Sequence, residues 1–232
     1  MTVSTPWPAG PAVCLPVHGI DQQFPVHRVY CVGRNYAAHA QEMGYTGREP
    51  PFFFLKPNDA LVPIAAQGGS IPYPSLTQDL HHEVELVVAI GTGGHDIDPK
   101  DAMAHVYGYA VGLDMTRRDL QMAMRKQGRP WDIGKAFDAS APIGPITPAA
   151  HVANIEQAAI SLHVNDAPRQ DSTVAHLIWN IAETIAHLSN AWTLQPGDLI
   201  FTGTPEGVGA VQRGDRMHAH VQGLQPITVS VR

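Results

Sequence analysis

The sequence predicts an α+β fold in which strands dominate. Three observations carry that expectation. Most apolar stretches are short and rich in Val, Ile, Tyr and Phe, the residues that fit a pleated and half-buried surface. Gly and Pro, at 21 and 20 of 232 residues, punctuate the chain between them. Helical spacing of apolar positions recurs in only a few segments, the longest near residues 173 to 188. No repeat, low-complexity linker or change of composition follows residue 25, so the chain reads as a Pro-rich arm (1–25) and a single domain (26–232).

Each element has its own local reason. Five prolines (6, 8, 11, 16 and 25) fix φ and remove donors in the arm, which should be extended. The first strand is "HRVYCVG" (27–33). "RNYAAHAQEMG" follows as a short helix, with Asn35 as N-cap and Gly44 just past its end. "PFFFLKP" (51–57) is a strand bounded by prolines, and "HEVELVVAIG" (82–91) is the next. "DIDPKDAMAHVY" predicts a helix from Asp98 as N-cap, Pro99 at its first position and Asp101 in its first turn. "GYAVGLDM" (108–115) is a strand, and the helix after it uses Thr116 and Asp119 as a capping pair with Gly128 as its stop. In the long helix, Val174, Leu177, Ile178, Ile181, Ile185 and Leu188 share one face. The C-terminal "GDLIFTG", "RMHAHVQG" and "PITVSVR" are strands and turns.

Several classes of function are excluded early. The net charge is −6 and no basic run exceeds two residues, so nothing offers the electropositive stripe that nucleic acid requires. No apolar run approaches the roughly 18–20 residues needed to span a bilayer, and the N-terminus lacks a signal-peptide pattern. Cys14 and Cys31 have no zinc-ligand spacing and read as reduced thiols. A cytoplasmic protein acting on a small molecule is the expectation.

The stretch "DLHHEVELVVAIG" (79–91) carries the first chemical signal. A strand alternates its faces, so Glu83 and Glu85 point the same way, about 6.6 Å apart along the chain. Burying a carboxylate is costly unless it is paired or bound to a metal, and two like charges make it costlier. With no Lys or Arg on the strand, a hard divalent cation is the simplest partner, and Asp114 at the end of "GYAVGLDM" is the best third ligand. The competing reading is an edge strand with both glutamates in water. His39 and Glu42, three apart on a helix, are neighbours in which the carboxylate raises the basicity of the imidazole, as suits a general base. They could equally be a surface pair. Lys135 in "WDIGKAFDAS" could stabilise an oxyanion or be a solvated loop lysine. "FTGTPEGVG" (201–209) lacks the phosphate-loop pattern. Its backbone N–H groups could cradle a carboxylate, or it is a plain turn.

Six segments in this order, "CVGRNYAAHAQEMG", "FFFLKP", "HHEVELVVAIG", "GYAVGLDMTRRDLQ", "GRPWDIGKAFDAS" and "GDLIFTGTPEGVG", closely resemble the fumarylacetoacetate hydrolase family over residues 27 to 232. The resemblance implies the mixed β-sandwich or β-roll of that family's C-terminal domain, with a few short helices. It implies Glu83, Glu85 and Asp114 as ligands of Mg²⁺, with Mn²⁺ or Ca²⁺ as alternatives, and His81 as the first residue of the H-x-E-x-E motif. It further implies His39 and Glu42 as the water-activating pair, Lys135 as catalytic lysine, and Lys56, Arg118, Gln121 and Thr204 as pocket residues.

The implied reaction is hydrolysis of a carbon–carbon bond in a 2,4-dioxo acid such as fumarylpyruvate, by a homodimer. A decarboxylase or tautomerase of oxaloacetate, an isomerase of 2-hydroxy-diene-dioates and a non-catalytic binding module are the rivals. A substrate with a second carboxylate needs a distal cation, for which Arg34, Arg117, Arg125, Lys126 and Arg129 are the candidates.

Overall fold

The structure is a computed structural model that describes residues 6–7, 10, 12–38 and 48–232. Its centre is an eight-stranded mixed sheet. In spatial order seven strands run Phe52–Lys56, Val29–Gly33, Leu199–Phe201, Val84–Ile90, Val106–Leu113, Ala141–Ile143 and Leu61–Pro63, with Thr147–Pro148 pairing off the path. The Leu199–Phe201 strand is parallel to Val29–Gly33 and antiparallel to Val84–Ile90. A second, five-stranded sheet runs Ala167–Thr173, Ala159–Val164, Arg216–Val221, Ile227–Val231 and Gly69–Ile71. A small third sheet joins Thr116–Arg117, Leu80–His82 and Gly209–Val211. Strand dominance, mixed sheets and few helices agree with the expected fold.

The Val84–Ile90 strand is buried along its whole length. Its pleat explains why. Leu86, Val88 and Ile90 face a core shared with Ile160, Leu162, Ala219 and Val229 of the five-stranded sheet. Val87 and Ala89 face the opposite side, against Phe201, Leu15, Val17 and Phe24. A strand buried on both faces needs an unbroken apolar run, and each side chain so buried contributes about 1.5–3 kcal/mol. The edge-strand reading of Glu83 and Glu85 is therefore excluded: Glu85 lies at the start of a central strand.

Part of the expected arm is regular. Cys14–Pro16 pairs antiparallel with Gln23–Pro25, and Leu15 and Phe24 from this hairpin close the second core. Cys14 and Cys31 are free thiols, as expected.

Three helices differ from expectation. Around Asp98 there is a turn, in which the Asp98 carboxylate accepts from Lys100 N at 3.0 Å, and then only a 3₁₀ segment, Ala102–His105. The helix stops there because Val106 already opens the strand paired with Val84–Ile90. The long helix spans Ile181–Ala191, preceded by a 3₁₀ turn at Val174–His176. Leu177 bridges to Tyr36 and Ile178 N donates to Asn35 O, so tertiary pairing takes the backbone that periodicity assigned to the helix. Asn180 and Glu183 then form a complete capping box at its true start.

The third helix, Arg118–Lys126, begins one residue later than a Thr116 cap would place it and has no side-chain cap. Thr116 lies in a strand paired with His81, while Asp119 accepts from Thr77 Oγ1 (2.6 Å) and Leu120 N (2.8 Å). Gly128, at φ 63°, does end this segment. The helix expected over 35–44 falls mostly outside the described residues. Asn35 does not serve it as a cap: its carboxamide joins Trp179 N and O to Thr202 O at 2.8–2.9 Å.

Candidate metal centre and active-site cleft

The strand ladder breaks at Glu83, between Leu80–His82 and Val84–Ile90. Its carbonyl accepts from Asp114 N at 2.9 Å, so the end of the adjacent Val106–Leu113 strand is tied to it. This join brings the three carboxylates together. Glu83, Glu85 and Asp114 are 5, 2 and 1% exposed, and each offers an oxygen within 4.8 Å of the others.

The strand itself carries no counter-charge, but the fold brings three from elsewhere. Lys135 Nζ bridges Glu83 Oε2 at 2.7 Å and Asp114 Oδ2 at 2.6 Å. Lys56 Nζ lies 2.8 Å from Asp114 Oδ1, and the Arg118 guanidinium pairs with Glu83 Oε1. With all three carboxylates ionised, three negative groups meet three positive ones. Burial disfavours the Lys135 ammonium, but the Asp114 and Glu83 charges outweigh it and raise its pKa.

Glu85 is placed differently. No cation pairs with it directly among the described residues, and its Oε2 accepts from Gly203 N at 2.7 Å. Burial first, then the charges of Asp114 and Glu83, push its pKa well above the usual carboxylate range. The glycine-rich turn does cradle a carboxylate, and that carboxylate belongs to the protein. Gly203 adopts φ 103°, and a Cβ there would lie 2.8 Å from the Asn35 Cβ, so only glycine turns this N–H toward Glu85.

Glu83, Glu85, Asp114, Arg118, Gln121 and Lys135 all line one cleft, with Thr204 at its side. Gln121 Oε1 accepts from Arg118, and the Thr204 hydroxyl donates to Val84 O at 2.8 Å. Gly134 lets the short Asp132–Lys135 helix pack on the Arg118–Lys126 helix: a Cβ there would lie 2.8 Å from Gln121 N. Lys135 reaches the carboxylates through this close approach.

Lys56 is the exception among the expected pocket residues. It is 2% exposed and lies behind Asp114, where it also donates to Met115 O at 3.3 Å and to Lys135 O. It is not among the cleft-lining side chains; its place is support for a carboxylate. His39 and Glu42 lie outside the described residues.

Three further residues hold the site together, and Gln170 among them has no local sequence signal. The Thr116 hydroxyl, 3.2 Å from Glu83 Oε1 and from Asp114 O, joins two of the acidic positions. Gln170 Oε1 accepts from Val84 N at 3.1 Å and lies 3.0 Å from His82 Nδ1, while its Nε2 donates to Thr204 Oγ1 and Pro205 O at 2.8 Å. His81 hydrogen-bonds Asp79 at 2.8 Å beside Arg118. Its pKa is lowered by burial and by the Arg118 charge.

Three hard oxygen donors on one buried wall of an open cleft are the donor set of a divalent-metal site. The fit has a specific mark: Asp114 Oδ1 is buried and receives no directed hydrogen bond despite the nearby Lys56.

The fumarylacetoacetate (FAA) hydrolase C-terminal family matches residues 28–232, and the chain belongs to that family. Among similar proteins, a fumarylpyruvate hydrolase of Ralstonia sp is 48% identical over 183 residues, covering 79% of this chain and 93% of that one. An oxaloacetate tautomerase of Oryza sativa subsp. japonica is 40% identical over 205 residues, covering 88% and 91%. The crystal structure of fumarylpyruvate hydrolase from Pseudomonas aeruginosa in complex with Mn²⁺ and pyruvate superposes with a TM-score of 0.96 at 59% identity, covering 98% of this chain and 99% of that one.

Proposed function

We propose that this protein is a metal-dependent hydrolase that cleaves the C3–C4 bond of a 2,4-dioxo acid, with fumarylpyruvate as substrate and fumarate and pyruvate as products. The observation that supports it best is the buried carboxylate cluster under a cation-lined cleft, in a chain 59% identical to a fumarylpyruvate hydrolase. Glu83, Glu85 and Asp114 hold the cation, which we take to be Mg²⁺. Bound there, it supplies Lewis acidity to the 2-oxo acid end of the substrate.

The remaining chemistry falls to the chain's own groups. His39, backed by Glu42, takes a proton from water as the water oxygen bonds to C4. Lys135, an ammonium beside the cleft, stabilises the negative charge that develops on the C4 oxygen. When the C3–C4 bond breaks, its electron pair passes to C3 as an enolate, and the proton returns there to give pyruvate. The carboxyl of the departing acid keeps the oxygen of water. Arg118 and Gln121 orient the substrate head. A cytoplasmic homodimer is the form this reading implies.

A second reading, tautomerisation of oxaloacetate, draws on the 40% identity to an oxaloacetate tautomerase. It uses the same recognition of a 2-oxo acid but needs no attacking water. The test is a panel of acylpyruvates, oxaloacetate and unsaturated 2-oxo diacids, each with Mg²⁺ and with chelator, for wild type and His39→Ala. Acylpyruvate cleavage should require the metal and fall by about 10²–10⁴-fold in His39→Ala. Oxaloacetate decarboxylation, which needs an electron sink alone, should fall much less. Oxaloacetate conversion with no acylpyruvate cleavage would refute the hydrolase reading in favour of the second.

A further inference from the structure

The ladder that carries the site breaks at Glu83, and one side chain from another sheet spans the break. Gln170 lies in Ala167–Thr173, the edge strand of the five-stranded sheet. Its pairing with Ala159–Val164 skips a residue: His163 opposes Pro168 and Leu162 opposes Gln170, with Arg169 left over. A bulge of this kind re-aims the side chain beside it. Gln170 is turned inward and is 1% exposed.

The Gln170 carboxamide uses all four of its hydrogen-bonding positions. Its Oε1 accepts from Val84 N at 3.1 Å and lies 3.0 Å from His82 Nδ1, so it meets the residues on both sides of Glu83. Its Nε2 donates at 2.8 Å to Thr204 Oγ1 and to Pro205 O. These two residues follow Gly203, whose N–H binds Glu85. The partners fix which end of the amide is which, because Val84 N can only donate and Pro205 O can only accept. His82 is therefore the donor at Nδ1. Thr204 takes the Gln170 N–H and gives its own proton to Val84 O at 2.8 Å, which fixes its hydroxyl.

The turn reaches Gln170 through a second glycine. Gly207 adopts φ 86°, and a Cβ there would lie 2.0 Å from Arg169 O, so the turn packs directly on the backbone beside Gln170. Glu83 and Glu85 thus depend on two backbone segments, the strand around residue 83 and the turn at 203–205, and one carboxamide joins them. Carboxylate oxygens must converge on a cation at about 2.0–2.6 Å, so the relative placement of those segments decides how well the pair can ligate.

We propose that Gln170 is a positioning residue of the metal centre: it sets the spacing of Glu83 and Glu85 by clamping the strand around the first to the turn that cradles the second. Gln170 does not line the cleft and acts through His82, Val84 and the turn. This rests on the reading of Glu83 and Glu85 as metal ligands.

The experiment measures Mn²⁺ affinity by calorimetry, with every protein folded, beside urea unfolding in chelator. Gln170→Met keeps the length of the side chain and removes both limbs of the clamp; it should weaken Mn²⁺ binding by about 10–100-fold, the usual effect of losing a group that orients a ligand. Gln170→Glu keeps an acceptor for Val84 N and loses the donors to the turn. Its added negative charge would by itself tighten a cation, so a weaker Kd than wild type reports lost geometry, and this variant carries the test if Gln170→Met does not fold. Ile227→Val trims the core of the same sheet away from the cleft lining; it should lower stability and leave the Kd unchanged. A Gln170→Met protein that is destabilised in chelator yet binds Mn²⁺ as wild type does would show that Gln170 serves the fold alone, and the proposal is overturned. Equal losses of affinity in Ile227→Val and Gln170→Met would overturn it too, because affinity would then follow stability. Glu85→Gln tests the underlying reading separately. If it binds Mn²⁺ as tightly as wild type, the ligand assignment is wrong and the proposal falls with it. If it loses Mn²⁺ while both Gln170 variants keep it, the ligands stand and Gln170 alone is refuted.

Discussion

Replacing Glu83 and Glu85, one at a time, by Gln should have unequal consequences for the metal-free fold. Glu83 pairs with two cations, the buried Lys135 at 2.7 Å and the partly buried Arg118. Removing one partner from a buried ion pair leaves charge uncompensated and costs about 3–5 kcal/mol. For a chain of this length each kcal/mol moves Tm by roughly 2–4 °C, so Glu83→Gln should melt about 6–20 °C below wild type in chelator. Glu85 meets a backbone N–H, and its environment already favours the uncharged carboxyl. A Gln there keeps the carbonyl acceptor for Gly203 and is uncharged like the carboxyl it replaces, so Glu85→Gln should change stability by less than about 1 kcal/mol. In the presence of metal the two should agree. Wild type at a cation concentration 100 times its Kd gains about 2.7 kcal/mol, and neither variant should gain a comparable amount. The assay is urea unfolding in chelator and in Mn²⁺. Equal destabilisation by both substitutions in chelator would refute the charge assignment, and full metal stabilisation of either variant would refute the ligand assignment.

Two further substitutions test how the fold supports the site. Gly134→Ala puts a Cβ 2.8 Å from Gln121 N, an overpacking that should cost about 1–3 kcal/mol and lower kcat by moving Lys135; unchanged kcat and Tm would show that the close approach is dispensable. His82 is lowered from 6.5 to about 4, chiefly by burial against the favourable Gln170 bond. Its unfolded form therefore binds a proton first, so its contribution is complete above pH 6.5 and is lost as pH falls toward 4, by at most about 3 kcal/mol. Unfolding free energies of metal-free wild type should drop through this window more steeply than those of His82→Gln; parallel slopes would overturn the assignment.

The parts of this site legible in the sequence are those with a local physical cost. Two carboxylates of one parity in an apolar strand demand a partner, and Asp114 ends a second apolar strand. The cation partners were not legible, because Lys135, Arg118 and Lys56 arrive from positions 52, 35 and 58 residues distant from the acids they meet. Gln170 and Asn35 were invisible for the same reason: their amides satisfy groups more than 80 residues away. Helix starts failed where tertiary bonds compete with periodicity. Leu177 and Ile178 fit the apolar stripe, yet their backbone is taken by Tyr36 and Asn35. Thr116 had the spacing of a cap, but its hydroxyl serves Glu83.

The lysine between Glu83 and Asp114 has a consequence for how the site chooses its ligands. With all three carboxylates ionised, as metal binding requires, the cluster balances Lys135, Lys56 and Arg118. A divalent cation added to that set leaves two positive charges in excess on a low-dielectric wall. Such a cleft attracts anions and is poorly matched to neutral ketones. A 2-oxo acid brings one negative charge in its carboxylate, and a second develops as the C3–C4 bond opens, so balance is restored only along the reaction. The preference is thus greatest for the transition state, which is where stabilisation accelerates a reaction. It also makes loading pH-dependent. Glu85 must give up the proton that its buried surroundings favour before it can ligate, so metal affinity should rise with pH across the range in which that carboxyl ionises.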